Sequence, residues 1–174
     1  MSRFREIIYF VVFVLLQTLV INRIHLFGIV TPFLYILVII KLRIDLTRSG
    51  VIILSFLLGL IIDVFSNTLG VHAAACSLIG FIRNPLLVQF VDVKELPDRS
   101  IPSFRLFGFG KFMRYTLILV TLHHIILFSI ESFSFFQPGI MFIRMISSIL
   151  LSSTLIFIFE AFNLGNKRKW RTTD

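Results

Sequence analysis

Residues 59–83 read Gly-Leu-Ile-Ile-Asp-Val-Phe-Ser-Asn-Thr-Leu-Gly-Val-His-Ala-Ala-Ala-Cys-Ser-Leu-Ile-Gly-Phe-Ile-Arg. An apolar run closes on an acid, Asp63, and a short polar turn, Ser66-Asn67-Thr68, follows. A second apolar run then carries Gly70, Ala73, Ala74, Ser77 and Gly80. Small residues at that density let helix backbones approach closely within a membrane, where lipid tails are as apolar as leucine and packing must drive association. The turn residues are of the type that caps a following helix. The segment therefore predicts two helices packed tightly against each other, with Asp63 and His72 close to the turn.

On either side of this segment the composition is that of a membrane protein. The chain has 174 residues, 57% of them hydrophobic and only 15% charged, against about 25% charged in an ordinary soluble domain. A water-soluble enzyme is excluded on that ground, and a single integral membrane domain is expected. Six apolar segments can be cut at the polar breaks, near 7–21, 29–42, 51–65, 69–82, 112–129 and 140–164. Several fall short of the roughly 20 residues of a straight crossing, so they must tilt, recruit flanking residues or thin the bilayer. The fold class predicted is an all-α polytopic bundle of about six transmembrane helices. Arg3 and Arg5 ahead of the first apolar run have the outline of a signal peptide, but no small-x-small cleavage site follows and an uncleaved span is expected.

Basic residues report orientation independently of hydropathy. With the N-terminus on the cytoplasmic side, that side receives Arg3 and Arg5, then Lys41, Arg43 and Arg48, then all six between Arg83 and Arg114, then four between Lys167 and Arg171. The far side receives Arg23 alone, and Arg144 lies within the sixth segment. Both termini are thus expected in the cytoplasm. The net charge of +8 is explained by this punctuation, and no nucleic-acid partner is expected. The cytoplasmic loop 92–111 interleaves charges with Ile101, Phe104, Leu106, Phe107 and Phe109, a mixture suited to anionic lipid at the headgroup level.

Charged groups inside the hydrocarbon are functional hypotheses by default. Counting about 1.5 Å per residue puts Asp63 and Arg144 at similar depth, and an intramembrane Asp63–Arg144 charge pair is expected. His123 and His124 are adjacent, so they point about 100° apart on a helix and make a poor metal site. Cys76 is alone and cannot form an intramolecular disulfide. The serines of Ser147-Ser148 and Ser152-Ser153 have the character of small packing residues. No second aspartate joins Asp63 for acid–base work, and no glycine loop of the Walker type is present. No catalytic residue, cofactor or metal is assigned.

The Gly59-x-x-x-Asp63 helix end, the short Ser/Asn/Thr turn, then Leu69-Gly70-x-His72-Ala73 and Leu78-x-Gly80 resemble the rod shape-determining protein MreD family. Pro32 in the second segment, the basic middle loop and the length extend the match to most of the chain. What the resemblance implies is a non-enzymatic membrane scaffold of the bacterial cell-wall elongation complex. It would bind an MreC-like protein, and through it meet the MreB filament, the glycan polymerase and the transpeptidase. It also implies a bacterial inner-membrane location and a fold similar to the substrate-binding subunits of energy-coupling-factor transporters. Mapped here, its packing and partner motif is Gly59, Asp63, Gly70, His72 and Gly80, to which the small-residue face adds Ala73 and Ser77. A vitamin-binding transporter subunit is the alternative. It is disfavoured because the first span, from Phe10 to Thr18, lacks the small-residue pair by which such subunits dock their motor.

Overall fold

The computed structural model of the chain describes residues 31–97, 99–131 and 138–169, with side chains from 139 to 162 in the last of these stretches. The first expected span, 7–21, His25 and the basic tail 167–171 lie outside the residues or side chains described. Among the described residues the fold is wholly helical: α1 (Ile36–Ile40), α2 (Arg48–Ser66), α3 (Val71–Leu87), a 3-10 turn (Val93–Glu95), α4 (Phe104–Phe107), α5 (Phe109–Glu131) and α6 (Pro138–Lys169). Among the described residues, three helices are long and apolar enough to cross a bilayer: Arg48–Ser66, Phe109–Glu131 and, within α6, Gly139–Phe162. This is a membrane-protein architecture. With 17 residues, α3 sits at the lower limit for a crossing.

The helices run past the apolar segments read from sequence. The helix of the third segment begins at Arg48, where Thr47 caps it by accepting a hydrogen bond from the Gly50 N–H at 3.2 Å. That of the fourth continues through Arg83 and Asn84 to Leu87, with Pro85 in its last turn. Long basic side chains tolerate such positions because their stems lie along apolar surface while their heads reach polar partners. The Arg48 guanidinium lies 4.2 Å from the centre of the Phe81 ring.

The second segment is not a span-length helix. Thr31, Pro32 and Phe33 are non-helical, a turn follows at Leu34 and Tyr35, and α1 has five residues. Tyr35, Ile36, Ile39 and Ile40 are completely buried. The segment is an irregular strip of backbone enclosed by α3 and α5. Non-helical backbone at membrane depth survives only where protein encloses it and satisfies its polar groups. Apolar composition could not distinguish this strip from a span; Pro32, which removes a donor and restricts the residue before it, marks the interruption.

The loop 92–111 also departs from its expected placement. Phe104 and Phe107 are buried, with the Phe104 ring 5.0 Å from that of Phe112 and the Phe107 ring 5.5 Å from that of Tyr115. Only Phe109 of the loop's phenylalanines is exposed. The loop is thus pinned into the bundle by two aromatic anchors, and its Ser100 carbonyl accepts from the Ile44 N–H at 2.9 Å. Close by, the Arg43 side chain hydrogen-bonds Asp45 and holds that carboxyl below the usual carboxylate range.

Candidate functional site: a capped hairpin and a buried polar lock

The hairpin of α2 and α3 is the most extensive helix contact in the structure, and glycine sets its distance. A Cβ on Gly59 would lie 2.5 Å from the Ala73 Cα and the His72 carbonyl oxygen, so only a hydrogen fits there. One turn later on the same face stands Asp63, which is 3% exposed. Its carboxylate accepts from the His72 N–H at 3.1 Å and from the Ala73 N–H at 2.8 Å. These are the second and third amides of α3, the donors that a helix's own cap residue normally satisfies. Gly70, at the cap position in the left-handed region with φ 82°, has no side chain to do so. Asp63 therefore caps α3 from the preceding helix, and its negative charge meets the positive end of the helix dipole.

The same carboxylate receives the Thr68 hydroxyl at 2.5 Å and lies 3.0 Å from the His72 Nδ1. The turn residue thus donates to Asp63, where the sequence suggested that Ser66, Asn67 or Thr68 would cap α3. Asn67 supplies backbone geometry instead, adopting the left-handed conformation with φ 54°. Further along the hairpin, a Cβ on Gly80 would come within 2.6 Å of the Ser55 Oγ. Ala73 is buried; Ser77 is half-buried and returns its hydroxyl to the Ala73 carbonyl at 2.7 Å. Gly59, Asp63, Gly70, His72, Ala73 and Gly80 are all brought together in this one device.

Arg144 is not part of it. The ion pairs among the described residues are Lys41–Glu160 and Arg43–Asp45, and the nearest ring to Asp63 is that of His72 on the hairpin itself. Asp63 is committed to α3, so the expected Asp63–Arg144 pair is replaced by a helix cap. Depth alone permitted the pair; four nearby donors on the hairpin itself outcompete a guanidinium on another helix.

A second polar group lies beside the hairpin. Phe33, Tyr35, His72, His123 and His124 form a knot of rings, with His72 6.0 Å from Phe33 and 5.9 Å from Tyr35, and His123 5.3 Å from Tyr35. The Phe33 N–H donates to the Ser152 Oγ at 2.9 Å, and the Thr31 N–H to the Ser148 Oγ at 3.3 Å. Two serines one turn apart on α6 thereby satisfy the non-helical backbone of residues 31–33. His124 donates from Nδ1 to the Val120 carbonyl at 2.8 Å, which leaves its Nε2 free to accept from the Ser152 hydroxyl at 3.4 Å. Tyr35 and His123 are hydrogen-bonded through the phenol oxygen and Nε2 at 2.9 Å. Both adjacent histidines are fully buried because α5 is covered by the irregular strip and by α6.

At the opposite end of the bundle, Arg83 is wholly buried and donates to the Leu42 carbonyl and to Asn84. Glu160, 2% exposed, pairs with Lys41 and accepts from the Phe104 N–H at 3.3 Å. Helices α1, α3, α4 and α6 are thereby tied together at this level of the bundle. Sequence reading missed the parts played by Tyr35, Ser148, Ser152, Arg83 and Glu160. The available signal was Pro32, which implied backbone in need of partners, together with serines spaced one turn apart on a neighbouring span.

Chemically this is a lock. The rings pack against one another, and apart from the His123 Nδ1 the polar atoms named here are spent on an amide, a carbonyl or a neighbouring side chain. Among the described residues no group of three or more His, Cys, Asp or Glu side chains is placed to hold a metal ion. No protein-family model, curated protein or solved structure matches the chain.

Proposed function

We propose that this chain is a non-enzymatic scaffold of the bacterial cell-wall elongation complex, an MreD-like protein of the inner membrane. It binds an MreC-like membrane protein, and through that protein communicates with the MreB filament, the glycan polymerase and the transpeptidase. The observation that carries this reading is the use made of the residues that bear the family resemblance. Gly59, Asp63, Gly70, His72 and Gly80 converge on one hairpin, where they fix helix distance and cap a helix. They serve architecture, as expected where the product of the protein is a shaped surface.

The side of α2 turned away from the hairpin supports the same reading. Ile53, Phe56, Leu57, Leu60 and Val64 are exposed there, a surface suited to lipid or to a partner's transmembrane helix. We further infer six spans with both termini in the cytoplasm, from the distribution of Lys and Arg. Exposed Lys94, Arg105, Lys111 and Arg114 then face anionic headgroups.

The vitamin-binding transporter subunit remains the second reading, because broken backbone at membrane depth is also how transporters build substrate sites. Here that backbone is held by Ser148 and Ser152 and surrounded by packed rings. Affinity purification from native membranes with quantitative mass spectrometry separates the two. Stoichiometric recovery of an MreC-like single-span protein is expected; recovery of paired ATPases in its place would overturn the scaffold reading.

A further inference from the structure

Between the residues that follow α3 and the first turn of α5 lies an open groove of about 490 Å³, whose lining includes Val88, Phe90, Val91, Asp92, Lys94 and Lys111. That volume falls in the range of small-molecule sites. The wall is anchored to the bundle, because the Phe90 ring stands 6.0 Å from that of Tyr115, which is completely buried on α5. The groove therefore belongs to the fold. It sits where the apolar part of α5 begins, since Lys111 immediately precedes Phe112, the first residue of that apolar run.

The charges of the groove are unbalanced. Lys94 and Lys111 are exposed, and neither forms an ion pair among the described residues. The one acid on the wall, Asp92, turns an oxygen to the Lys94 N–H at 3.1 Å. Two ammonium groups against one carboxylate leave one positive charge in excess. A further cation lies behind the wall: Arg83 is wholly buried on α3, five residues or about 7.5 Å before Val88 along the helix. Its guanidinium donates to the Leu42 carbonyl and the Asn84 side chain, with no carboxylate partner and an unpartnered Nε among the described residues. A charge held in such surroundings is screened far less than one in water.

We propose that this groove is a binding site for one anionic phospholipid of the phosphatidylglycerol type, its phosphodiester between Lys94 and Lys111 and its glycerol and upper acyl carbons against Val88 and Val91. The occupant follows from place and charge. Where the apolar runs of a membrane bundle end, headgroup phosphates stand beside the protein, and basic pockets at that level hold them. An apolar wall and a cationic rim in one concavity suit a molecule that is itself amphipathic; a free phosphate would use only the rim. Val88 is 59% exposed, so the wall is open to an acyl chain. One excess positive charge matches a headgroup with one net negative charge, and the lysines repel the ammonium of a zwitterionic one. This site sharpens the reading that exposed basic residues face anionic headgroups into one bound lipid at one place, and it uses none of the residues on which the scaffold reading rests.

The test is native mass spectrometry of the full chain released from nanodiscs of phosphatidylglycerol and phosphatidylethanolamine in equal parts. One phosphatidylglycerol per chain should stay bound in preference to phosphatidylethanolamine. Lys94→Gln with Lys111→Gln should lower its retention about tenfold or more. Arg99→Gln with Arg105→Gln removes as much exposed charge outside the groove and should change retention less than about twofold. Val88→Glu keeps both lysines and sets a carboxylate on the wall, and it should cause the same loss as the lysine pair, in protein whose helix content by circular dichroism is unchanged. Equal losses from the lysine and arginine pairs would overturn the proposal, leaving only diffuse attraction to the membrane. Equal retention of the two lipids, or displacement of the bound lipid by excess inorganic phosphate, would overturn it as well. The measurement needs no protein partner, so its failure leaves the scaffold reading standing.

Discussion

Replacing Gly59 with alanine should destabilise the hairpin by a calculable route. The new Cβ would lie 2.5 Å from the Ala73 Cα and the His72 carbonyl, and 2.7 Å from the Ala73 nitrogen. All three are backbone atoms and cannot rotate away. Reaching ordinary contact at 3.4 Å requires α2 and α3 to separate by about 0.9 Å at a close-packed interface. The Asp63 hydrogen bonds to the His72 and Ala73 amides, 3.1 and 2.8 Å long, lie one turn from the clash and would be stretched with it. Overpacking costs about 1 to 3 kcal/mol and a lost helix cap about 0.5 to 2 kcal/mol. The better helix propensity of alanine returns about 1 kcal/mol. The net expectation is a loss of about 0.5 to 4 kcal/mol, read as the shift in reversible unfolding by a denaturing detergent. Gly110, where an added Cβ meets nothing within 4 Å, is the control: Gly110→Ala should be neutral or slightly stabilising. A Gly59→Ala protein as stable as the Gly110→Ala protein would show that the helices do not touch where the structure has them touch.

Further expectations follow from the other contacts. Gly80→Ala should be destabilising but partly rescued by Ser55→Gly, because the first atom it meets is the Ser55 hydroxyl; no rescue in a double-mutant cycle would place the clash elsewhere. Ser152→Ala leaves the buried Phe33 N–H without its acceptor and should cost about 1 to 3 kcal/mol, more than Ser148→Ala, whose bond to Thr31 is longer and part-buried. Equal effects in thermal unfolding would deny Ser152 a special part in holding the strip. Asp63→Ala should lower the melting temperature more than Thr68→Ala does, since Thr68 gives the carboxylate one of several donors; the reverse order would argue against Asp63 as the cap of α3. Reporter fusions after Asp174 and within 98–103 should both read cytoplasm, and an outward signal from either would break the orientation drawn from the basic residues.

The membrane class and the hairpin were legible because each rests on local chemistry. Few charges and long apolar runs mean lipid, and Gly59, Ala73 and Gly80 mean close backbones wherever they occur. The partner of Asp63 was not legible in the same way. Carboxylate, turn and glycine cap are adjacent in sequence, yet the donors are main-chain amides, which every residue carries and no residue type advertises. The second apolar segment reads as a span for a related reason. Ile36, Ile39 and Ile40 have the same composition whether they face lipid or the centre of a bundle, and only Pro32 signalled an interruption. His123 and His124 diverge around the helix, but α5 is enclosed on two sides, so both directions lead inward. The serines of α6 carried the missing information in their spacing, one turn apart, opposite backbone that the segment 31–33 could not satisfy for itself.

Cell width measured during depletion of this protein, with re-expression of the wild type or of a Gly59→Leu variant at matched membrane levels, tests the scaffold reading most directly. The account predicts that depleted cells widen and round, that the wild type restores rods, and that the variant, with its hairpin forced open, does not. Cells that keep their rod shape when the protein is gone would contradict it.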